Sequence, residues 1–201
     1  GNAVMKHEFA LKKPKPAKRR GRVARVLPSE LVEKQGTLKA RCKRLGLNPN
    51  KVDDLIKANR EHLECEAGIA IELAGFNLDR WNFVKDAQII YNRYHNSNGV
   101  WPHARGATIE MKPEYQVGGP DDVSTTPITE EQRAAMDVMS VANYMRLEGQ
   151  LMSYCKPFLS EFKQCVDNDY PAGPNFITAL DMVLKGLQGE QNRAKRILRS
   201  G

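Results

Sequence analysis

The chain has 201 residues, 41% of them hydrophobic, which supplies enough apolar material for one domain or two small ones. Lys and Arg outnumber Asp and Glu by 31 to 24, and the resulting charge of +7 favours an anionic partner. No apolar run reaches the roughly 20 residues that a membrane-spanning helix needs, and no apolar signal segment follows the basic N-terminal stretch. We therefore expect a cytoplasmic protein with no membrane partner.

The first 28 residues form a strongly basic arm. They contain nine Lys or Arg residues against one acid, Glu8, so the arm has a charge of +8. Pro14, Pro16 and Gly21 oppose helix formation, and we expect a disordered arm that orders on contact with a phosphate backbone. The alternatives are a solubilising or nuclear-import-like tail and a ribosomal-type extension. The candidate phosphate contacts are Lys12, Lys13, Lys15, Lys18, Arg19, Arg20, Arg22 and Arg25.

Residues 29–75 are expected to form a small helical unit. Ser29 is a suitable N-cap for a first helix, which Gly46 ends. The buried face of that helix is predicted to contain Leu31, Leu38, Cys42 and Leu45. A second helix follows at once, with Asn48 as its cap and Pro49 in its first turn.

The same segment resembles a helix-turn-helix. Cys42, Gly46 and Val52 stand where such a unit needs a close helix crossing, a tight bend and interhelical packing. In this interpretation the second helix lies in the DNA major groove. Asp53 and Asp54 at its start would face phosphates, so a plain helical hairpin is the alternative. This segment adds three cations to the candidate nucleic-acid contacts: Lys43, Arg44 and Lys51.

Two further helices are expected before a long loop. Residues 60–74 are rich in small and aliphatic side chains, and we expect close packing at Gly68 and an end at Gly75. Asn77 caps a longer helix that continues to about residue 94. Its broad apolar face predicts either the central helix of a bundle or a subunit interface. The face consists of Leu78, Trp81, Val84, Ala87, Tyr91 and Tyr94.

Residues 95–127 contain four glycines and four prolines and have no helical period. A loop of this length in a compact domain is usually functional, disordered or packed on a partner. The alternating residues Ile109, Met111, Tyr115 and Val117 are compatible with one short hairpin. A surface for base stacking and phosphate contact is suggested by Trp101, His103, Arg105 and Lys112.

The C-terminal part predicts three helices. Thr129 and Gln132 form a capping box that opens a helix to about residue 154. We interpret its methionine-rich stripe as core, with an oligomer interface as the second option. The stripe contains Met136, Met139, Ala142, Met145, Leu147, Leu151 and Met152.

A short helix over residues 157–166 comes next. The last helix begins near residue 175 and is expected to fray at Gly186 and Gly189 into a basic tail, residues 190–201.

The motifs favour a non-enzymatic protein. GxxxxGK[ST] and GxGxxG are both absent, and no nucleophile motif has an evident partner. His95 and His103 suggest a metal nuclease only weakly, because no strand-helix frame for ligands is evident, and nothing in the spacing compels zinc binding by His62 and Cys65. We expect no catalytic residue, no metal and no cofactor. The cysteines are predicted to be buried thiols: Cys42, Cys65, Cys155 and Cys165.

The order of these parts resembles the small subunits of viral genome-packaging terminases, which are helical proteins of bacteriophages and prophages. The resemblance covers residues 12–154 and is carried by RRGRVARV, CKRLGLNPNKV, NLDRWNFVKDAQIIYNRYH and the helix over residues 129–154. It implies a non-catalytic, ring-forming subunit that recognises viral DNA in the bacterial host cytoplasm and passes it to a large packaging ATPase.

The sequence thus predicts an all-α protein of four parts. These are a disordered basic arm (1–28), a helix-turn-helix-like unit (29–75), a helical bundle (76–189) that contains the loop 95–127, and a basic tail (190–201). The predicted function is DNA binding by a homo-oligomeric subunit of a phage assembly. The alternatives are a dimeric transcriptional regulator and a structural RNA-binding protein.

Overall fold

The computed structural model describes residues 25–98 and 129–200. These residues form helices and contain no strand, which confirms the all-α prediction. The α-helices are α1 (Ser29–Val32), α2 (Gln35–Arg44), α3 (Val52–Ala58), α4 (Glu66–Leu73), α5 (Leu78–Asn98), α6 (Glu130–Cys155), α7 (Leu159–Val166) and α8 (Phe176–Ser200). Two 3-10 turns, Glu61–Glu64 and Lys156–Phe158, precede α4 and α7. The basic arm before Arg25 and the suggested hairpin at 109–117 lie outside the described residues.

Helix α5 is the centre of the larger hydrophobic core. It packs against α4, α6, α7 and α8, which confirms the first of its two predicted roles. The apolar face also agrees with the prediction, except that Leu78 is exposed and Tyr94 is half-buried. Its buried residues are Trp81, Val84, Ala87 and Tyr91. Helix α5 continues one turn past residue 94 to Asn98, so the predicted start of the loop at residue 95 is wrong.

Helices α5 and α6 run antiparallel and are joined by tyrosine contacts. The rings of Tyr94 and Tyr144 stack with their centroids 3.7 Å apart. One turn further along each helix, the hydroxyl of Tyr91 donates to Glu148 at 3.4 Å. Lys163 of α7 completes the cluster, with its Nζ 2.9 Å from Glu148. The aromatic stripe therefore positions α6 and α7 as well as filling the core.

The stripe of α6 is core only at its C-terminal end: Leu147 and Leu151 are buried as predicted, whereas the core prediction is wrong for the methionines. Met136, Met139, Met145 and Met152 are between 45% and 65% exposed. The buried residues of α6 are confined to its C-terminal end: Leu147, Leu151 and Cys155. The other described helices give residues 130–146 no apolar surface to cover them, because the contacts of α6 with α5, α7 and α8 begin near Tyr144.

The prediction that α8 frays at its glycines is also wrong, since α8 continues unbroken to Ser200. Gly186 packs against the ring of Tyr154, and a Cβ at Gly186 would overlap that ring. Packing of the backbone at this point offsets the roughly 1 kcal/mol by which glycine disfavours a helix. Past Gly189, every described residue of α8 is exposed.

The N-terminal helices have a separate small core. It consists of Leu38, Cys42, Leu55 and Ala58, with Leu27, Leu31 and Leu47 against it. Ser29 is the first residue of α1 and makes no cap, and a break at residues 33–34 separates α1 from α2. Asn48 does not cap α3 either, because its side chain accepts from the backbone N–H of Asn50 and α3 begins only at Val52. Gly46 does make the predicted bend, with φ +68°.

Helix α4 is shorter than predicted because Cys65 breaks the 60–74 segment. Its thiol sulfur accepts from the backbone N–H of Gly68 and caps α4, after the 3-10 turn Glu61–Glu64. Gly75 ends the helix with φ +88°, as predicted. Although the sequence grouped α4 with the N-terminal helices, its residues Cys65, Ala67 and Ile71 pack in the larger core.

Gly68→Ala should destabilise the protein, because the added Cβ would overlap the backbone carbonyl oxygen of His62. Overpacking against rigid backbone costs about 1–3 kcal/mol or more. Gly149→Ala is the matched control, since Gly149 lies in the exposed part of a helix with open space around it, and the change should stabilise α6 by about 0.5–1 kcal/mol. Urea unfolding followed by far-UV circular dichroism measures both. Equal stability of the two variants would contradict the close packing at Gly68.

Candidate nucleic-acid interface

Residues 25–60 fold into a unit that we call the N-terminal hairpin. Helices α2 and α3 pack against each other on either side of Gly46. Cys42 is completely buried at their crossing, and its thiol donates to the backbone oxygen of Asp54 at 3.5 Å. The backbone N–H of Leu47 donates to the carbonyl of Cys42 at 2.8 Å and fixes the bend. The structure therefore has a close helix crossing at Cys42 and a tight bend at Gly46, both at the positions that the sequence predicts.

The N-terminal hairpin is positively charged as a whole. It has nine Lys or Arg residues and four Asp or Glu residues, a net charge of +5. The rest of the described chain up to Gly189, residues 61–98 and 129–189, has eight Lys or Arg residues against 14 acids, a net charge of −6. Residues 190–200 at the end of α8 carry a further net charge of +3. A positive unit beside a negative body attracts polyanions.

The predicted cations of the hairpin have different roles. Arg44 makes a bidentate ion pair with Glu66 of α4, at 2.9 and 2.6 Å, and so joins the hairpin to the body. This hydrogen bonding raises the pKa of Arg44. Lys43 and Lys51 are exposed and have no ion pair or side-chain hydrogen bond among the described residues. These two ammonium groups are therefore the predicted contacts that are available to a phosphate.

Arg25 is held beside the first carboxylate of α3. Its guanidinium lies 2.6 Å from Asp53, and this hydrogen bond raises the pKa of Arg25. Two residues later, Leu27 packs on the small core. The other predicted arm residues lie outside the described residues: Lys12, Lys13, Lys15, Lys18, Arg19, Arg20 and Arg22.

The two acids of α3 are both occupied by local contacts. Asp53 pairs with Arg25, and Asp54 accepts from the backbone N–H of Asn48 at 2.9 Å. Asp54 also lies 3.9 Å from the ammonium of Lys57. The start of α3 is thus less negative than its sequence suggests.

Sequence reasoning missed a further cation on the hairpin. Lys39 lies four residues before Lys43 on α2, and residues at this spacing share a helix face. That face lies beside the one that buries Leu38 and Cys42, about 100° around the helix. Both lysines are exposed, and like-charge repulsion between them favours binding of a shared anion. The i, i+4 spacing of the two lysines was the signal available in the sequence.

His62 and His95 each contact a carboxylate, and the four cysteines are buried. Nε2 of His62 lies 2.7 Å from Glu72, and Nε2 of His95 lies 2.8 Å from Asp167. Within residues 25–98 and 129–200, no cluster of three His, Cys, Asp or Glu side chains is arranged to hold a metal ion. His103 lies outside these ranges. All four cysteines are free and buried, which confirms that prediction.

Burial also changes the acidity of groups in the larger core. It raises the pKa of the Cys65 and Cys165 thiols, and it raises the pKa of Tyr91, to which the neighbouring Glu148 adds. The neutral forms of these groups are therefore preferred in the folded protein.

No protein-family model, curated protein or solved structure matches this chain. In the part of the chain that the structure describes, every helix is too short or too polar to traverse a bilayer.

Stability should decrease as the pH rises above about 8.5, where thiols of an unfolded chain ionise. Because the pKa of Cys65 and Cys165 is raised on folding, these thiols stay neutral in the folded state and release protons only on unfolding. Each should lower the free energy of unfolding by up to about 1.4 kcal/mol per pH unit. Urea titrations between pH 7 and 10 under reducing conditions measure the free energy of unfolding at each pH. Cys165→Ala should give a shallower decrease, and parallel curves for the two proteins would contradict the assignment.

Proposed function

We propose that this protein is a non-catalytic DNA-binding protein whose basic arm and N-terminal hairpin bind the phosphate backbone. The observation that carries the proposal is the separation of charge between the hairpin at +5 and the body at −6. Cations that neutralise phosphates release condensed counterions, and this release supplies most of the affinity in sequence-independent binding. The negative body is repelled by the same phosphates, so the hairpin would be oriented toward the DNA.

Within this proposal the hairpin acts as a helix-turn-helix that positions itself by phosphate contacts. Lys39 and Lys43 of α2, together with Lys51 before α3, present exposed ammonium groups. Helix α3 has seven residues and begins with Asp53 and Asp54, a composition that suits reading of base edges less well. We therefore assign the hairpin to backbone contact.

The setting that we propose is the one implied by the resemblance in the sequence. The protein would be a subunit of a phage assembly in the bacterial cytoplasm, and would bring DNA to a packaging ATPase. Titrations with RNA of equal length test the RNA-binding alternative alongside DNA.

Lys43→Ala with Lys51→Ala should weaken binding to any DNA duplex by roughly ten-fold or more at about 0.1 M salt, and should lower the slope of log K against log salt by about 1.8. Lys85→Ala with Lys156→Ala removes the same charge from the negative body and is the matched control. Fluorescence anisotropy with a labelled duplex at several salt concentrations measures both variants. The effect should be the same for unrelated sequences.

The arm is tested in the same assay. Replacement of Lys18, Arg19, Arg20 and Arg22 by Ala should weaken binding uniformly and reduce the salt slope further. If neither this variant nor the hairpin variant binds DNA more weakly than the control, the proposal is wrong.

Asp53→Asn should raise the affinity for DNA a few-fold, because it removes a carboxylate from the cationic surface and releases Arg25 for phosphate contact. Asp86→Asn is the matched control, since Asp86 is exposed on the body. The same anisotropy titration at low salt measures both changes. Unchanged affinity of the Asp53 variant would show that the start of α3 faces away from the bound DNA.

A further inference from the structure

Two helices of the bundle extend beyond the core that they share. Residues 130–146 of α6, the α6 arm, and residues 190–200 of α8, the α8 arm, contain no buried residue, and the half-buried Tyr144 near the end of the α6 arm packs on the core. Both arms have exposed apolar side chains. On the α6 arm they include Val138, Val141 and Met145, which are 70%, 39% and 63% exposed, and on the α8 arm Ile197 and Leu198.

A groove of about 610 Å³ lies where the α8 arm begins. It is lined by Tyr154, Met182, Lys185, Gly186, Gly189 and Arg193. The hydroxyl of Tyr154 donates to Glu190 and holds the end of α6 against α8. At Gly189 a Cβ would meet open space, so the backbone of α8 is accessible there to another helix.

The charges of the groove and the α6 arm are complementary. Residues 185–200 have five Lys or Arg residues against one acid, whereas residues 130–137 have three acids against one Arg. Glu130 and Asp137 are seven residues apart, about 10.5 Å along one face of α6. Lys185 and Arg193 are eight residues apart, about 12 Å along α8. The two pairs therefore have nearly the same axial spacing.

The apolar residues fit the same arrangement. Val138, Val141 and Met145 lie on the face of α6 that presents Glu130 and Asp137, because their positions repeat at helical spacing. Met145 and Met182 are unbranched and adapt to irregular contact surfaces. One face of the α6 arm thus matches the groove in both charge and apolar character.

The α6 arm does not reach the groove of its own chain. Helix α6 is continuous from Glu130 to Cys155, so Val138 lies 16 residues, about 24 Å, before Tyr154 on a single rigid axis. We propose that the α6 arm of one copy docks in the α8 groove of a second copy of this chain. The elements involved are α6 and α8, so the proposal does not depend on DNA binding by the hairpin.

Gly189→Leu tests the groove directly. The wild-type protein at 10–100 µM should have a mass above the monomer value of 22.6 kDa in light scattering coupled to size exclusion. Gly189→Leu fills the groove and should weaken association at least ten-fold, while its melting temperature does not fall, because Leu favours a helix more than Gly does. Gly36→Leu is the matched control, since Gly36 is a helical glycine of α2 with open space around it, and it should associate like the wild type.

A charge exchange identifies the partner as a second copy. Lys185→Glu with Arg193→Glu, and separately Glu130→Lys with Asp137→Lys, should each reduce association. An equimolar mixture of the two double variants should associate again, because each then meets a complementary surface. Association would not recover in the mixture if the arms served only to bind DNA.

Three results would overturn the proposal. They are a wild-type protein that is monomeric at 100 µM, association of Gly189→Leu equal to that of the control, and a mixture of the charge variants that stays monomeric. A Gly189→Leu protein that keeps its association and loses DNA affinity would assign the groove to nucleic acid and would also overturn it.

Discussion

The main constraint on this fold is that its long helices share a core much shorter than they are. The buried stretch of α5 extends over eleven residues from Trp81 to Tyr91, about 15 Å along the axis. Helix α6 has 26 residues and α8 has 25, which corresponds to about 39 and 37 Å. Once their contacts with α5 are made, both helices still have several turns with no apolar partner among the described residues. The two arms follow from this difference in length.

Two ion pairs join the N-terminal hairpin to the bundle. Arg44 binds Glu66, whose backbone N–H donates to Asp169 at 2.8 Å, so the ion pair is connected to the turn before α8. A second, longer ion pair joins Arg60 to Glu72 at 3.6 Å. The hairpin keeps its own core of small and aliphatic side chains. A unit held in this way can present its lysines to a polyanion while the bundle remains unchanged.

Local signals in the sequence predicted part of the local structure, although the caps expected at Ser29 and Asn48 are not formed. The capping box of Thr129 and Gln132 is formed, and Gly46 and Gly75 adopt the left-handed conformations that end helices. The buried face of α5 was found because its apolar residues recur at helical spacing. The same reasoning was right for Leu147 and Leu151 of α6 but wrong for its methionines, since periodicity identifies an apolar face and not the surface that covers it.

The candidate site was less predictable, because it depends on residues distant in the chain. Arg25 meets Asp53 across 28 positions, and Arg44 meets Glu66 across 22. No local pattern shows which of the hairpin cations are paired and which are available. The unbroken α8 was missed for a similar reason, since the ring that packs on Gly186 belongs to Tyr154 of α6.

The two proposed surfaces have a physical consequence when they are considered together. Lys39, Lys43 and Lys51 of a single hairpin make few phosphate contacts, and such contacts weaken steeply as the salt concentration rises. Association through the α6 arm and the α8 groove would place several hairpins, each with its basic arm, on one particle. Once one hairpin is bound, the others meet the same DNA at a high effective concentration, so that overall affinity exceeds that of each contact by orders of magnitude. Because α6 and α8 form one interface and the hairpin forms the other, assembly would strengthen DNA binding without any new contact to the DNA.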